Sequence, residues 1–149
     1  MTLKRLEAQG QIEKIRIERK QIVSNLKRAR KDLITAKANL DIDEEWTYTI
    51  AYHAMLRAGR ALMFAKGYRP KGKDQHKTVV EFSAEILGGE FKHLVNRFNR
   101  MRIKRHDFIY DTEKPIPRTE AIHSLESAEQ FVMEITSRIE RSTPQKKLI

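Results

Sequence analysis

Arginine, histidine and tyrosine side chains recur at helical spacing near residue 105. Arg102, His106 and Tyr110 are four residues apart, so in a helix they lie along one side, and Arg105 belongs to the same stripe. A histidine transfers protons near neutral pH, and an arginine holds a phosphate group through two parallel hydrogen bonds. This combination is typical of a site that binds a phosphodiester and, if the histidine acts as an acid or base, reacts with it.

The positions that precede these residues on the same stripe are apolar. These positions are Phe91, Leu94, Val95 and Phe98. Their spacing predicts the core-facing side of a helix over about residues 91–110. Because an unpaired charge is unfavourable in a dry core, the change to cations indicates that the second half of this face meets a cleft, an acidic partner or a second subunit. A simpler interpretation is that the helix extends beyond the core and its last turns lie in water, where Asp107 and Asp111 pair with the cations.

The chain is basic, and its charge is concentrated in two segments. Its 149 residues carry a formal net charge of +10. Residues 1–40 hold eleven Lys and Arg against four Asp and Glu, and residues 91–107 hold six against one, so these segments carry the excess. Such clustering is typical of a surface that attracts a polyanion such as nucleic acid, although a pair of solvated helix faces explains it equally well.

The elements that must position these residues are helices. Glycine and proline are few, and apolar residues recur at spacings of three and four. The pattern predicts helices over about residues 17–40, 44–66, 76–87, 91–110 and 119–141, with a turn-rich loop at 67–75. The helix at 44–66 has a face of small side chains and is expected to be central. No alternating run is bounded by hairpin turns, so we predict an all-α fold, an antiparallel up-and-down bundle of four to five helices.

The length suits one domain. We assign residues 17–143 to a single helical domain, 144–149 to a tail, and 1–16 to a short accessory helix or an arm. Without cysteine there are no disulfides or thiol ligands, and neither His93 nor His123 has a partner at metal-ligand spacing, so we expect no metal or cofactor. No apolar run approaches the roughly 20 residues that span a bilayer, and the N-terminus does not resemble a secretion signal, so we expect a cytoplasmic protein that does not enter a membrane.

The predicted central helix carries a second set of basic side chains, His53, Arg57 and Arg60, on one face. We interpret this face either as a wall opposite the cationic stripe or as the hydrated side of the helix. Tyr52 is interpreted as a core or interface aromatic residue, and His76 as a helix-start residue. The side chains that we predict to bind nucleic acid are Arg28, Lys31, Arg57, Arg60 and Lys104.

Four stretches carry a resemblance to a known family. They are residues 46–62 (WTYTIAYHAMLRAGRAL), 67–70 (GYRP), 76–82 (HKTVVEF) and 100–111 (RMRIKRHDFIYD). Together they resemble the HEPN family (higher eukaryotes and prokaryotes nucleotide-binding), over roughly residues 20–140. The resemblance implies a small bundle of four to five helices that dimerises. For many members it implies a metal-independent ribonuclease, the toxin of a toxin–antitoxin or other defence system, encoded beside a nucleotidyltransferase-like antitoxin.

The family's catalytic signature is an arginine followed, after four to six residues, by a histidine near the end of a late helix. Arg100 and His106 match that spacing. A second alignment starts from Arg105 and places Tyr110 where the family has its histidine, so that His106 takes the position of the polar residue after the arginine. We favour the second alignment because Arg105, His106 and Tyr110 share one stripe, whereas Arg100 lies almost opposite His106 on the helix.

Two functions are expected from these residues. In the first, the protein is a ribonuclease toxin in which His106 acts on the ribose 2′-hydroxyl, Arg102 and Arg105 stabilise the charge on phosphorus, and Tyr110 orients the phosphate. In the second, the same residues bind nucleotide or RNA, or dock a nucleotidyltransferase partner, without chemistry. The dense cationic stripe favours the first function, and the replacement of the signature histidine by Tyr110 favours the second.

Overall fold

The computed structural model describes residues 2–110 and 115–142, without the side chains of 107–110. The described residues form α1 (Leu3–Ala8), β1 (Ile12–Lys14), α2 (Arg19–Ala38), α3 (Glu44–Ala65), β2 (Tyr68–Pro70), α4 (Gln75–Leu87), α5 (Lys92–Tyr110) and α6 (Arg118–Ser142), with a 3₁₀ turn at Gly89–Phe91. The five predicted helices are α2 to α6, each within two residues of its predicted bounds. The all-α prediction is confirmed.

The start of α3 is set by its own sequence. Asp43 precedes the helix in an extended conformation, and its Oδ1 accepts hydrogen bonds from the backbone N–H groups of Glu45 (3.0 Å) and Trp46 (3.1 Å). The buried hydroxyl of Thr47 donates to the carbonyl of Ala36 at the end of α2 (2.8 Å). This bond fixes the turn between the two helices, which then pack side by side along their lengths.

Helix α3 is central, as predicted. It contacts α2, α4, α5 and α6. Small side chains on several sides of the helix let these neighbours approach closely, and those that are fully buried are Ala51, Ala54, Ala58 and Ala61. Gly59 permits a still closer approach, because even a Cβ at that position would overlap with the Val79 side chain of α4.

The apolar half of the α5 stripe faces the core, as predicted. Leu94, Val95 and Phe98 are buried, and the Phe98 ring packs against Phe131 of α6 at a centroid distance of 5.0 Å. Met101, which lies at the edge of the predicted stripe, is also buried. Burial on this face therefore continues to the turn at which the cations begin.

The first sixteen residues, for which the sequence left an accessory helix and an arm open, form α1 and β1. Leu6 and Ile12 are buried in the core. Strand β1 pairs antiparallel with β2, and the pairing is extended by backbone bonds from Ile15 N–H to Gly67 O and from Lys71 N–H to Gln11 O (both 2.9 Å). The sequence placed β2 in a loop, because a three-residue strand is too short to show alternation.

The C-terminal end of helix α4 is held by a side chain of α6. The guanidinium group of Arg138 in α6 donates to the carbonyls of Ile86 (3.2 Å) and Leu87 (3.4 Å), the last residues of α4, and lies over the Phe91 ring. These carbonyls have no partner within the helix, so Arg138 acts as a cap from outside. None of the helices in the described ranges is long and apolar enough to cross a membrane.

Candidate functional site

The first turn of α4 and the last turns of α5 enclose a cavity of about 470 Å³, here called the His76 cavity. The loop before α4 leads into it through Asp74, whose φ of 54° is left-handed, a conformation that is rare for a residue other than glycine. The lining residues are Asp74, Gln75, His76, Lys77, Arg102, Ile103, Arg105 and His106. The structure therefore brings three of the predicted catalytic residues, Arg102, Arg105 and His106, into one cavity.

Arg105 is the innermost of these cations. It is partly buried, and its Cζ lies 5.6 Å from the centre of the Tyr52 ring of α3, in cation–π contact. Its Nε is buried and has no hydrogen-bond partner in the described part of the chain. A buried donor without a partner is unfavourable, so this guanidinium group is prepared to bind an acceptor from outside.

Arg102 and His106 lie further along the same side of α5. The Nε and Nη2 of Arg102 both donate to Oδ1 of Asn99, one turn earlier, at 3.1 and 3.0 Å. This pair of bonds fixes the plane of the guanidinium group. His106 is exposed at the rim of the cavity. An anion entering the cavity meets His106 at the rim and the two arginines on the wall.

His76 lies on the opposite wall, and the Tyr52 side chain of α3 lies buried behind it, outside the described lining of the cavity. The Tyr52 hydroxyl and His76 Nδ1 are 2.8 Å apart, and Tyr52 is fully buried. Burial raises the pKa of the Tyr52 phenol to about 12, although Arg105, Arg102 and Arg60 act against it. The phenol is therefore protonated at neutral pH.

The surroundings of His76 keep its ring neutral, and a neutral ring carries a proton on one nitrogen only. Burial, followed by the charges of Arg60 and Arg105, lowers the pKa of His76 to about 4, so the ring is neutral at physiological pH. A neutral imidazole has one donor and one acceptor nitrogen. The bond to Tyr52 can run in either direction, and we assign the hydroxyl as the donor to Nδ1, which places the ring proton on Nε2.

The basic residues of α3, His53, Arg57 and Arg60, are absent from the described lining of the His76 cavity. His53 lies edge-on to the Tyr52 ring (5.7 Å), and burial, then Arg105, lowers its pKa. Arg60 is close enough to contribute to the shift of His76. Arg60 lines a different cavity, beside Gln75, so the interpretation of this face as a wall opposite the cationic stripe stays a prediction.

Arg57 differs from its neighbours on this face. Its Nε pairs with Oδ2 of Asp32 at 2.8 Å, and Arg28 Nε lies 3.3 Å from the other oxygen of the same carboxylate. Asp32 is buried, so the two arginines compensate a charge between α2 and α3. Lys104 pairs with Glu120 of α6, while Lys31 is exposed on α2. Binding of nucleic acid by Arg28, Arg57, Lys104 and Lys31 stays a prediction.

Arg100, the start of the alternative alignment, lies elsewhere. It is exposed and lines a second cavity of about 560 Å³, here called the Tyr48 cavity, on the other side of α5. His106 is absent from the described lining of that cavity. The structure thus brings Arg105, but not Arg100, together with His106. The α5 helix ends at Tyr110, whose side chain lies outside the described residues.

The sequence did not identify Tyr52 and His76 as site residues. They are 24 residues apart, and their contact depends on how α3 and α4 cross. The sequence does show that His76 directly follows a turn-rich loop and that Tyr52 lies within an apolar face. Neither observation indicates that the two side chains are in contact. In the described ranges no group of three or more His, Asp or Glu side chains is arranged to hold a metal ion.

The fold and the cavity define a class of protein: a helical bundle with an arginine–histidine site near the end of a late helix. A family model of the HEPN domain matches residues 23–139. The chain belongs to the HEPN domain family. Comparison with curated proteins gave no match.

Proposed function

We propose that this HEPN protein is a ribonuclease that cleaves RNA without a metal ion in the His76 cavity, as the toxin of a toxin–antitoxin or defence system. The observation that carries the proposal is the convergence of Arg102, Arg105 and His106 with His76 around one cavity. Among the described lining residues Asp74 is the one carboxylate, so the cavity has an excess of positive charge. A phosphodiester supplies the missing negative charge.

The chemistry proceeds by attack within the RNA. His106 removes the proton from a ribose 2′-hydroxyl, and the 2′ oxygen forms a bond to phosphorus while the bond to the 5′ oxygen of the next nucleotide breaks. The departing 5′ oxygen takes a proton from solvent at the open rim. Arg102 and Arg105 stabilise the charge that develops on the phosphoryl oxygens, and His76 donates from Nε2 to one of them. The products are a 2′,3′-cyclic phosphate and a 5′-hydroxyl.

The test is incubation of the purified protein with RNA in EDTA. We expect products with 2′,3′-cyclic phosphate ends, and a rate at least about 100-fold lower for His106→Ala, the loss typical of a general base. The matched control is His93→Ala, an exposed histidine of the same helix outside the cavity, which should cut like wild type. Equal rates for wild type and His106→Ala, or no cleavage by wild type, would remove the proposal.

A second candidate is a module that binds RNA or nucleotide without cleaving it and docks a nucleotidyltransferase partner. The observation that favours it is Tyr110 in the place of the signature histidine, because a phenol is a poorer proton-transfer group at neutral pH than an imidazole. The same assay separates the two candidates. Binding of RNA by wild type without any cleavage would indicate the second.

The toxin role and a homodimer are supported by family membership. A two-fold dimer would bring two cavities together and let their groups act jointly. Expression of wild type beside the Arg105→Ala, His106→Ala double variant tests the role in cells. We expect growth arrest with wild type alone, and arrest by both proteins would exclude the cavity as its cause.

A further inference from the structure

Helix α5 separates two basic cavities. The His76 cavity lies on one flank and the Tyr48 cavity on the other, and Ile103 lines both. Ile103 is 49% exposed, although it is a large apolar side chain. It therefore forms a ridge that a ligand must cross to reach from one cavity into the other.

The Tyr48 cavity is also suited to an anion. Its described lining residues are Tyr48, Arg97, Arg100, Met101, Ile103, Lys104, Pro117, Thr119, Glu120, His123 and Ser124. Lys104 is paired with Glu120, which leaves the charges of Arg97 and Arg100 in excess. Both guanidinium groups act on the buried Tyr48 phenol, where they oppose the increase in pKa that burial and Glu120 cause. The two positive charges therefore line the same cavity as the Tyr48 side chain.

Helical spacing explains the division of cations between the two flanks. Arg97, Arg100 and Lys104 are three and four residues apart, so they line one flank, and Arg102 and Arg105 are three apart on the other. A helix with its side chains is about 10–12 Å wide. A flexible phosphate backbone can cross this distance with charges held on both sides.

We propose that single-stranded RNA crosses α5 at Ile103, with one phosphate in the His76 cavity and a phosphate further along the strand held by Arg97 and Arg100 in the Tyr48 cavity. This inference rests on the proposed ribonuclease function and assigns its substrate class and a substrate-positioning subsite. A single strand fits because its bases can turn outward onto an exposed apolar side chain, here Ile103. A duplex keeps its bases stacked inside and cannot follow the ridge in this way.

Binding is tested apart from cleavage with a fluorescent 2′-O-methyl RNA of about 12 nucleotides, whose blocked 2′ oxygen cannot attack. We expect the Arg97→Gln, Arg100→Gln double variant to bind about tenfold more weakly by fluorescence anisotropy. The slope of log affinity against log salt should become shallower by about 1.4, the value for two lost contacts to a single strand. The control, Lys27→Gln with Lys37→Gln, removes two exposed charges from α2 and should change the affinity less than about threefold.

A variant that binds RNA more tightly than wild type distinguishes an effect on binding from a loss of folding, because an unfolded protein would lose affinity. Ile103→Trp offers a flat surface for a base at an exposed position, and we expect at least about fivefold tighter binding of the same RNA. A double-stranded 2′-O-methyl RNA of equal length should bind more weakly than the single strand. Tighter binding of the duplex, or no gain from the tryptophan, would overturn the inference.

Kinetics then distinguish this inference from the proposed function. For cleavable RNA, Arg97→Gln with Arg100→Gln should raise KM about tenfold and leave kcat nearly unchanged, because the subsite is remote from the reacting phosphate. A collapse of kcat would place Arg100 in the chemistry and overturn the subsite. If wild type binds the 2′-O-methyl RNA through these arginines but cuts no RNA, the ribonuclease proposal fails and the RNA path stands. If the Arg97→Gln, Arg100→Gln variant binds and cuts RNA like wild type, the proposed RNA path fails and the ribonuclease proposal stands.

Discussion

The neutral state of His76 follows first from its burial, which lowers its pKa, and then from its neighbours. Tyr52 holds its Nδ1, while Arg60 and Arg105 oppose a positive charge on the ring. A bound phosphate would reverse this balance, because an anion favours the protonated ring. The same histidine is therefore neutral in the empty cavity and would gain proton affinity if an anion bound there.

The shifted pKa of His76 also makes stability depend on pH. In the unfolded chain His76 takes up its proton near the usual pKa of 6.5, but in the folded protein only near 4. Between these values the unfolded state binds more protons, so the free energy of unfolding decreases as pH falls from 6.5 towards 4. We expect His76→Gln to show a smaller decrease than wild type in urea unfolding between about pH 7 and about pH 4.5. His93→Gln serves as the control, and an equal decrease in wild type and His76→Gln would contradict the assignment.

At the scale of elements, the cavity depends on close packing of α3 against α4. A side chain at Gly59 would overlap with Val79 Cγ1 and approach Ser83 Oγ to 3.2 Å. The absence of a Cβ therefore sets the separation of the two helices near the Tyr52–His76 bond. His76 of the α4 wall is bonded to Tyr52 of α3, so a change in that separation would also move this wall of the cavity.

Substitution of this glycine should be destabilising. We expect Gly59→Ala to lower the free energy of unfolding by about 1–3 kcal/mol through overpacking, although alanine is the better helix former. In the double variant Gly59→Ala, Val79→Ala, the loss should be smaller than the sum of the single losses, because the shorter side chain makes room. Chemical denaturation of the single and double variants measures these losses in the free energy of unfolding. Gly89→Ala, at a glycine with nothing within 4 Å of an added Cβ, should change little.

Helices were predictable from the sequence because their periodicity is local. The stripe of Leu94, Val95 and Phe98 defined the inner side of α5, and its continuation identified Arg102 and Arg105 as residues of the cavity. Pairings between distant segments leave no such pattern. The pairing of Glu13 with Arg69 across β1 and β2 joins residues 56 positions apart, and the contacts of Asp32 and His76 likewise depend on how helices pack.

At the scale of the whole molecule, the N-terminal segment is part of the core. Leu6 is fully buried, and α1 contacts α4. Strand β1 holds β2, which leads through the loop at 71–74 into the first turn of α4. The first sixteen residues therefore support the loop that presents Asp74 and His76, although the HEPN family match begins only at residue 23.

Loss of a single side chain in this segment should affect the entire fold. We expect Leu6→Ala to lower the free energy of unfolding by about 3 kcal/mol, the usual loss for a buried leucine. Ile17→Ala, at a position that is 57% exposed, should lower it far less. Urea titration followed by circular dichroism measures the two values. Equal and small losses would mean that the segment is not part of the cooperative fold.

The attachment of α4 at both ends has a consequence for motion. Its first turn is held through the Tyr52–His76 hydrogen bond, and its last carbonyls are capped by Arg138 from α6. A helix normally frays from a free end, where few bonds must break. With both ends tied to other helices, α4 moves together with α3 and α6 or not at all. A ligand of the His76 cavity would therefore meet an α4 wall that is already in place, and the ordering of that wall would not have to be offset by the energy of binding.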